Sequence, residues 1–515
     1  MPVQARTVWI GGFKGLNDSA VPGVSPILTP QLSNVKINHG RVIGRGGMTK
    51  YLDIDTDAGA QVIGLFNFRR ASGTHTLVRM LPTALERLSG TWGDITGTAL
   101  TGSNSTRPQF DIIDGTLVFT NEGEDRPRKW TGSGNSADIG GTPAFCKGLK
   151  AWIGFLFLFN VSDNGTFTDI FDGHRMGKYS DDWDNDWSIC DGNEVVLDET
   201  PGAWVASEIL GRNMIAFKTD GLVQLRFVGG QDRFHQERVP IDVGCVAPLT
   251  VAKVGEAGIG FLGTDGMIYV ITSEGIKPVS FDALFNTLPP HLDENRFKFS
   301  RALVDEDDHI YYLLYNSGSE DINDEHLDSW VSYNFRTGEF SKGTLGSVSS
   351  AGVLSKIVTS ASGFRPADDD KQALVVGTTD DTAGQLVHEF DAGADDDGVA
   401  ITREWTTNWQ NLGEEGWLYG ARLLFKRDGT AKVKVSVARN LGESFQFEQT
   451  FSLAGNKPTD TVVELKYTFP PQWTNWANIK VKLFHKNANS YTELQRIGLE
   501  MQNKLPTRES IEDAR

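Results

Sequence analysis

At 515 residues the chain exceeds one ordinary hydrophobic core, so two or three domains, or one large repeat-built domain plus a smaller one, are expected. With 67 Asp and Glu against 49 Lys and Arg the formal net charge is −18, which excludes free nucleic-acid binding through an overall basic surface. Three widely spaced cysteines, Cys146, Cys190 and Cys245, exclude a disulfide framework and a CxxC zinc pair.

In chain order, residues 1–55 read as a Gly- and Pro-punctuated leader with Pro22, Pro26 and Pro30. It ends in NVKINHGRVIGR (34–45), where two alternating runs flank Asn38-His39-Gly40 as in a hairpin. From 56 to 395 short apolar runs alternate with Gly, Asp or Asn turns, as in QFDIIDGTLVFTN (109–121), LKAWIGFLFLFN (149–160) and HIYYLLYN (309–316). Segments fall near 62–95, 109–131, 145–190, 203–240, 250–280, 300–345 and 350–390, and Trp92, Trp130, Trp187 and Phe340 close several of them. A spacing of about 35 to 50 residues predicts an all-β fold built on a β-propeller, with two stacked sandwiches as the alternative. The segment IKPVSFDALFNTL (276–288) predicts one short helix, capped by Ser280, with Phe281, Leu284, Phe285 and Leu288 on one face.

Acidic stretches at 317–328, 367–371 and 392–398 read as solvated loops, the last a domain boundary. Beyond it, runs at 417–425, 431–438, 445–453, 461–468 and 479–484 predict a C-terminal β-sandwich over 396–502. Residues 503–515 are charged and read as an extended arm. The N-terminus has no long apolar run and no 18-residue apolar stretch occurs. The expectation is a chain without a signal peptide or membrane span, folded in a reducing cytoplasm.

Candidate chemistry is sparse. Asp182, Asp184 and Asp186 have the spacing of calcium-loop ligands, but Trp187 and Asn193 stand where the loop needs Gly and Glu. The cluster DEDDH (305–309) reads as a turn entering a buried strand. RPRKW (126–130) is the densest basic spot and reads as a loop after a strand. No local hydrolase, phosphate-loop or dinucleotide motif occurs. The reading therefore assigns no catalytic, cofactor-binding or metal residue and expects no enzyme activity.

The order of segments carries a resemblance. IGGFKGLN (10–17), with Gly11, Gly12, Gly15, Leu16 and Asn17, is followed by Asn34, Val35, Gly40, Val42, Arg45 and Gly47. This opening resembles that of tail hub or nozzle proteins of short-tailed bacteriophages, which usually carry Pro where Gly46 stands. Trp92, TNEGEDRPRKWTG (120–132), SDDWDNDW (180–187), DVGCVAP (242–248) and YNFRTGEFS (333–341) are similar to segments of that family. Phe340 replaces its usual Trp.

The resemblance implies a propeller-based structural protein of the virion tail, assembled in the host cytoplasm. It implies a homohexameric ring below the portal and adaptor rings, in contact with tail fibre, spike or needle proteins. The ring's channel would carry genomic DNA during ejection without holding it tightly, and an acidic wall suits that passage. The leader and the C-terminal arm would serve docking and assembly. Two other readings stand: a propeller glycoside hydrolase, and a receptor-binding tail module acting on host surface polysaccharide.

Overall fold

The computed structural model describes residues 5–18, 27–51, 61–70, 72–167, 175–187, 194–230, 233–281, 283–284, 286–288, 294–318, 325–346, 357–366, 371–379, 387–393, 395–396, 399–426, 432–439, 447–452, 462–484 and 493–503. Pro22, Pro26, Cys190, Asn193, Phe285 and residues 504–515 of the arm lie outside them, as do 319–324, 367–370 and 397–398 of the acidic stretches.

The protein is an all-β propeller with almost no helix. Among the described residues, seven four-stranded antiparallel units follow one another. Their first strands are Gly64–Arg69, Gln109–Ile113, Phe145–Trp152, Trp204–Leu210, Ala252–Val254, Arg301–Asp305 and Ile357–Phe364. Each first strand packs beside the next, and the seventh packs back on the first, so the ring of blades closes on an axis. Closure is stitched by the N-terminal region. The strand Met48–Lys50 forms the fourth strand of the seventh blade, pairing antiparallel with Val387–Phe390 through Phe390↔Met48 and His388↔Lys50.

Local chemistry explains the hairpins. Two-residue hairpin turns of type I′ match the strand twist and need both central residues at positive φ. Asp114 and Gly115 (φ 49° and 72°) supply this between Ile113 and Thr116, and His39 and Gly40 (φ 49° and 75°) between Asn38 and Arg41.

The core sits between blades. Each pair of neighbours shares an apolar cluster: Phe68, Phe119 and Trp130 join blades one and two, and Trp152, Phe157, Phe159 and Trp204 join three and four. Tyr312, Trp330 and Phe390 join six and seven. Phe159 stacks on Trp204 at 5.1 Å and 8°. Full burial of one such side chain contributes about 1.5–3 kcal/mol, so the aromatic residues dominate blade adhesion.

The remaining strands form the C-terminal sheet system. Gln410–Lys426 pairs with Val462–Phe484 and with Glu493–Asn503. Two strands expected at 461–468 and 479–484 are one 23-residue strand, and its register against Gln410–Lys426 shifts across 469–471, where Pro470 and Pro471 stand. The leader is part of this system. Ala5–Gly11 pairs along Glu493–Asn503, and the hairpin 35–44 bridges that strand to Phe340–Thr344 of the sixth blade.

Two expectations are corrected. The segment 276–288 holds no described helix: Gly275–Pro278 is a strand, turns follow, and Phe281 is 54% exposed while Leu284 and Leu288 are buried. Ser280 is no cap; its buried hydroxyl accepts from the Ile268 N–H and points at Met267 Sδ. The acidic stretch 392–398 is not simply solvated, because Asp396 is fully buried.

Candidate functional site

Six of the seven first strands, with Pro248, Leu249 and Val251 of the short 3-10 turn and its exit in place of the fifth, wall one cavity of about 170 Å³ on the propeller axis. Its lining includes Gln109, Lys150, Ser207, Glu208 and Arg301. Charged side chains in otherwise apolar strands need partners once buried, and the two sides of the cavity differ in how they find them.

On the side of blades two to four, Lys150 lies between two carboxylates. Its Nζ is 3.0 Å from Glu208 Oε2 and 3.7 Å from Asp111 Oδ2. Asp111 also accepts the backbone N–H groups of Ala151 (2.7 Å) and Ile112 (2.8 Å), and Glu208 accepts that of Ile209 (2.8 Å). Burial pushes the Asp111 carboxyl above the usual aspartate range, with Lys150 and the two N–H groups opposing it. Burial would lower Lys150, but its two carboxylates more than offset this and hold the ammonium above the ordinary lysine value.

On the side of blade six stands Arg301. It is 9% exposed, and its Nη2 donates to Ile63 O at 2.8 Å. Its Nε is buried without a hydrogen-bond partner. Burial, reinforced by the neighbouring Arg107 cation and opposed by Glu122, pushes the guanidinium down to about 9. Glu122 does not neutralise it, because both of its oxygens serve Arg107, one on the side chain and one on the backbone N–H.

The candidates read from sequence lie elsewhere. Asp184 and Lys129 form an ion pair, so the SDDWDNDW and RPRKW segments meet each other. Asp182 accepts from Asn185 Nδ2, while Trp183 and Trp187 are buried, the first donating to Asp114 and the second to the Trp183 carbonyl. Arg126 donates to Pro143 O and lies over the Phe145 ring, and Arg128 donates to Thr98 O. In DEDDH, Asp305 accepts the Asp307 and Asp308 N–H groups, Asp307 pairs with Arg365, and His309 meets Arg336. Cys146 and Cys245 are buried free thiols, pushed up to about 12 by burial. Among the described residues no three His, Cys, Asp or Glu converge on a metal position.

The axial residues were not singled out by motif. The usable signal is a charge inside the first apolar strand of a unit: Asp111 in QFDII, Lys150 in FCKGLKAW, Glu208 in WVASEIL, Arg301 in RALVD.

The Asn34, Arg45 and Gly47 positions of the N-terminal region are architectural. Asn34, at φ 54°, donates to Thr402 O (3.0 Å) and Thr344 Oγ1 (3.2 Å), and accepts from Arg45 Nε (3.1 Å). It thereby touches leader, blade six and the segment entering the C-terminal sheet. Arg45 makes a bidentate pair with Asp396 (2.9 and 2.8 Å), both side chains fully buried. A Cβ on Gly47 would lie 1.7 Å from Asp395 O, and one on Gly15 2.3 Å from Phe340 N. Phe13 packs edge-on against Trp405 at 4.7 Å.

No protein-family model matches the chain, and no curated protein does. Among solved structures it is similar to virginiamycin B lyase from Staphylococcus aureus (9% identity, TM-score 0.38), covering 66% of this chain and 97% of that one. YCF48 from Cyanidioschyzon merolae aligns at 10% identity and TM-score 0.37, over 65% and 97%. An exo-β-1,3-galactanase from Phanerochaete chrysosporium aligns at 9% and 0.23, over 88% and 99%. At such values these likenesses bear on neither activity nor partner.

Proposed function

We propose that the chain is a structural subunit of a short-tailed bacteriophage tail, a nozzle or hub that assembles as a six-membered ring below the portal and adaptor. The ring continues the ejection channel and contacts fibre, spike or needle proteins. The observation that carries this reading is the fate of the opening motifs. Asn34, Arg45 and Gly47 are not surface features but the joint that ties the last blades to the C-terminal sheet system. A subunit that withstands the passage of packaged DNA needs such a rigid joint more than it needs a reactive site. The charge of −18 supports a wall along which DNA moves with little adhesion.

One observation gives the hydrolase alternative a place. Glu208 lines the axial cavity, Asp111 reaches the Lys150 that lines it too, and glycoside hydrolysis uses two carboxylates. Both are engaged by Lys150, so neither carboxylate is free to turn to a sugar. Incubation of the purified protein with host surface polysaccharide separates the readings. The structural reading expects no cleavage. Cleavage that is lost in both Asp111→Asn and Glu208→Gln overturns it.

A further inference from the structure

We propose that the axial cavity binds a small oxyanion, a phosphate, sulfate or carboxylate group, through Arg301. A guanidinium carries five N–H donors. Arg301 directs Nη2 at Ile63 O, and its buried Nε has no partner. Among the described residues no carboxylate forms an ion pair with it; Arg107 adds positive charge nearby, and Glu122 is engaged by Arg107. Leaving a buried cation uncompensated is costly, and a well-packed apolar side chain would avoid that cost. One carboxylate, Glu208, does line the same cavity, yet it is held by Lys150, which also engages Asp111 on blade two. Arg301 on blade six is thus the cavity's uncommitted charge. A volume of about 170 Å³ admits one such group with ordered water, since a liquid water occupies about 30 Å³. Planar oxyanions match the guanidinium fork with two parallel charge-assisted hydrogen bonds. The acidic pole across the cavity disfavours large polyanions, which sets the preference for a small one.

The test uses the full chain with inorganic phosphate or sulfate, against chloride at matched ionic strength. Calorimetry should show saturable one-site binding by the wild type and a rise in its melting temperature. Arg301→Met should weaken binding about 10- to 100-fold, as expected for lost charge-assisted hydrogen bonds. Without phosphate, Arg301→Met should melt no lower than wild type, because it removes a desolvated charge. The exposed-surface control Lys277→Ala should bind as wild type does. Wild-type crystals grown in selenate provide a variant-free readout, an anomalous peak beside the Arg301 guanidinium. Equal phosphate response in wild type and Arg301→Met, or no selenate peak at Arg301, overturns the proposal.

Discussion

The Arg45–Asp396 pair joins residues 351 positions apart, with both side chains at 0% exposure. Removing one partner of such a pair strands a buried charge, at a cost of about 3–5 kcal/mol. Arg45→Met and Asp396→Asn should each lower chemical stability by that order. The double variant should cost clearly less than the sum, since the two substitutions remove one shared interaction. Strict additivity in denaturant titrations would show that the pair is not coupled. Asp111 gives a pH signature. Its folded pKa is raised above the usual 3.8, so its contribution to stability is fully present below that value and is lost as pH rises through the raised one. Asp111→Asn removes this loss. Relative to wild type, the variant should therefore gain stability as pH rises from about 4 toward neutrality. A difference that is flat, or that falls, contradicts the assigned direction.

At the scale of elements, the closing strand Met48–Lys50 is reached through Gly46 and Gly47, which run against the backbone of Asp391 and Asp395. Gly47→Ala places a Cβ 1.7 Å from Asp395 O, a backbone atom that has nowhere to move. It should destabilise by about 1–3 kcal/mol or more. Gly93→Ala, with open space around its Cβ, is the control and should melt within a degree or two of wild type. The blades themselves are largely legible in the sequence, because a strand–turn–strand rhythm is written in local alternation: four of the segments hold all strands of one blade, while 109–131, 145–190 and 350–390 each hold three of the four, short of Ala137–Asp138, Glu194–Val196 and Met48–Lys50. What local pattern cannot carry is pairing across the chain. Three residues at 48–50 give no periodic signal, yet they complete a blade whose other strands begin more than 300 residues later. The strand Glu493–Asn503 was missed for a related reason. Leu494, Ile497, Leu499 and Met501 are buried, but a register shift near Leu424/Phe425 breaks their alternation. Asp396 looked like one more loop carboxylate, and only the distant Arg45 explains its burial. The site was least legible of all, because Asp111, Lys150, Glu208 and Arg301 come together through blade geometry and not through spacing.

At the scale of the whole molecule, a seven-bladed ring of sheets is tied to a C-terminal sheet system by its own N-terminal strands. The two chain ends therefore stabilise one another. The strand Ala5–Gly11 lies along Glu493–Asn503, and the hairpin 35–44 carries that sheet on to blade six. Loss of residues 1–50 should release both closures together and leave a protein that aggregates or melts well below wild type. A truncated chain with the parent melting temperature would show the stitching to be dispensable. The proposed role adds an assembly to this frame, with subunit contacts each burying on the order of 1,600 Å² in total. Its most direct test is an electron cryomicroscopy reconstruction of the tail of the virion carrying this chain. The account predicts six copies in one ring, coaxial with the portal and adaptor, with an excess of Asp and Glu on the channel wall. The chain found as a peripheral monomer or spike away from the axis, or absent from the particle, would contradict it.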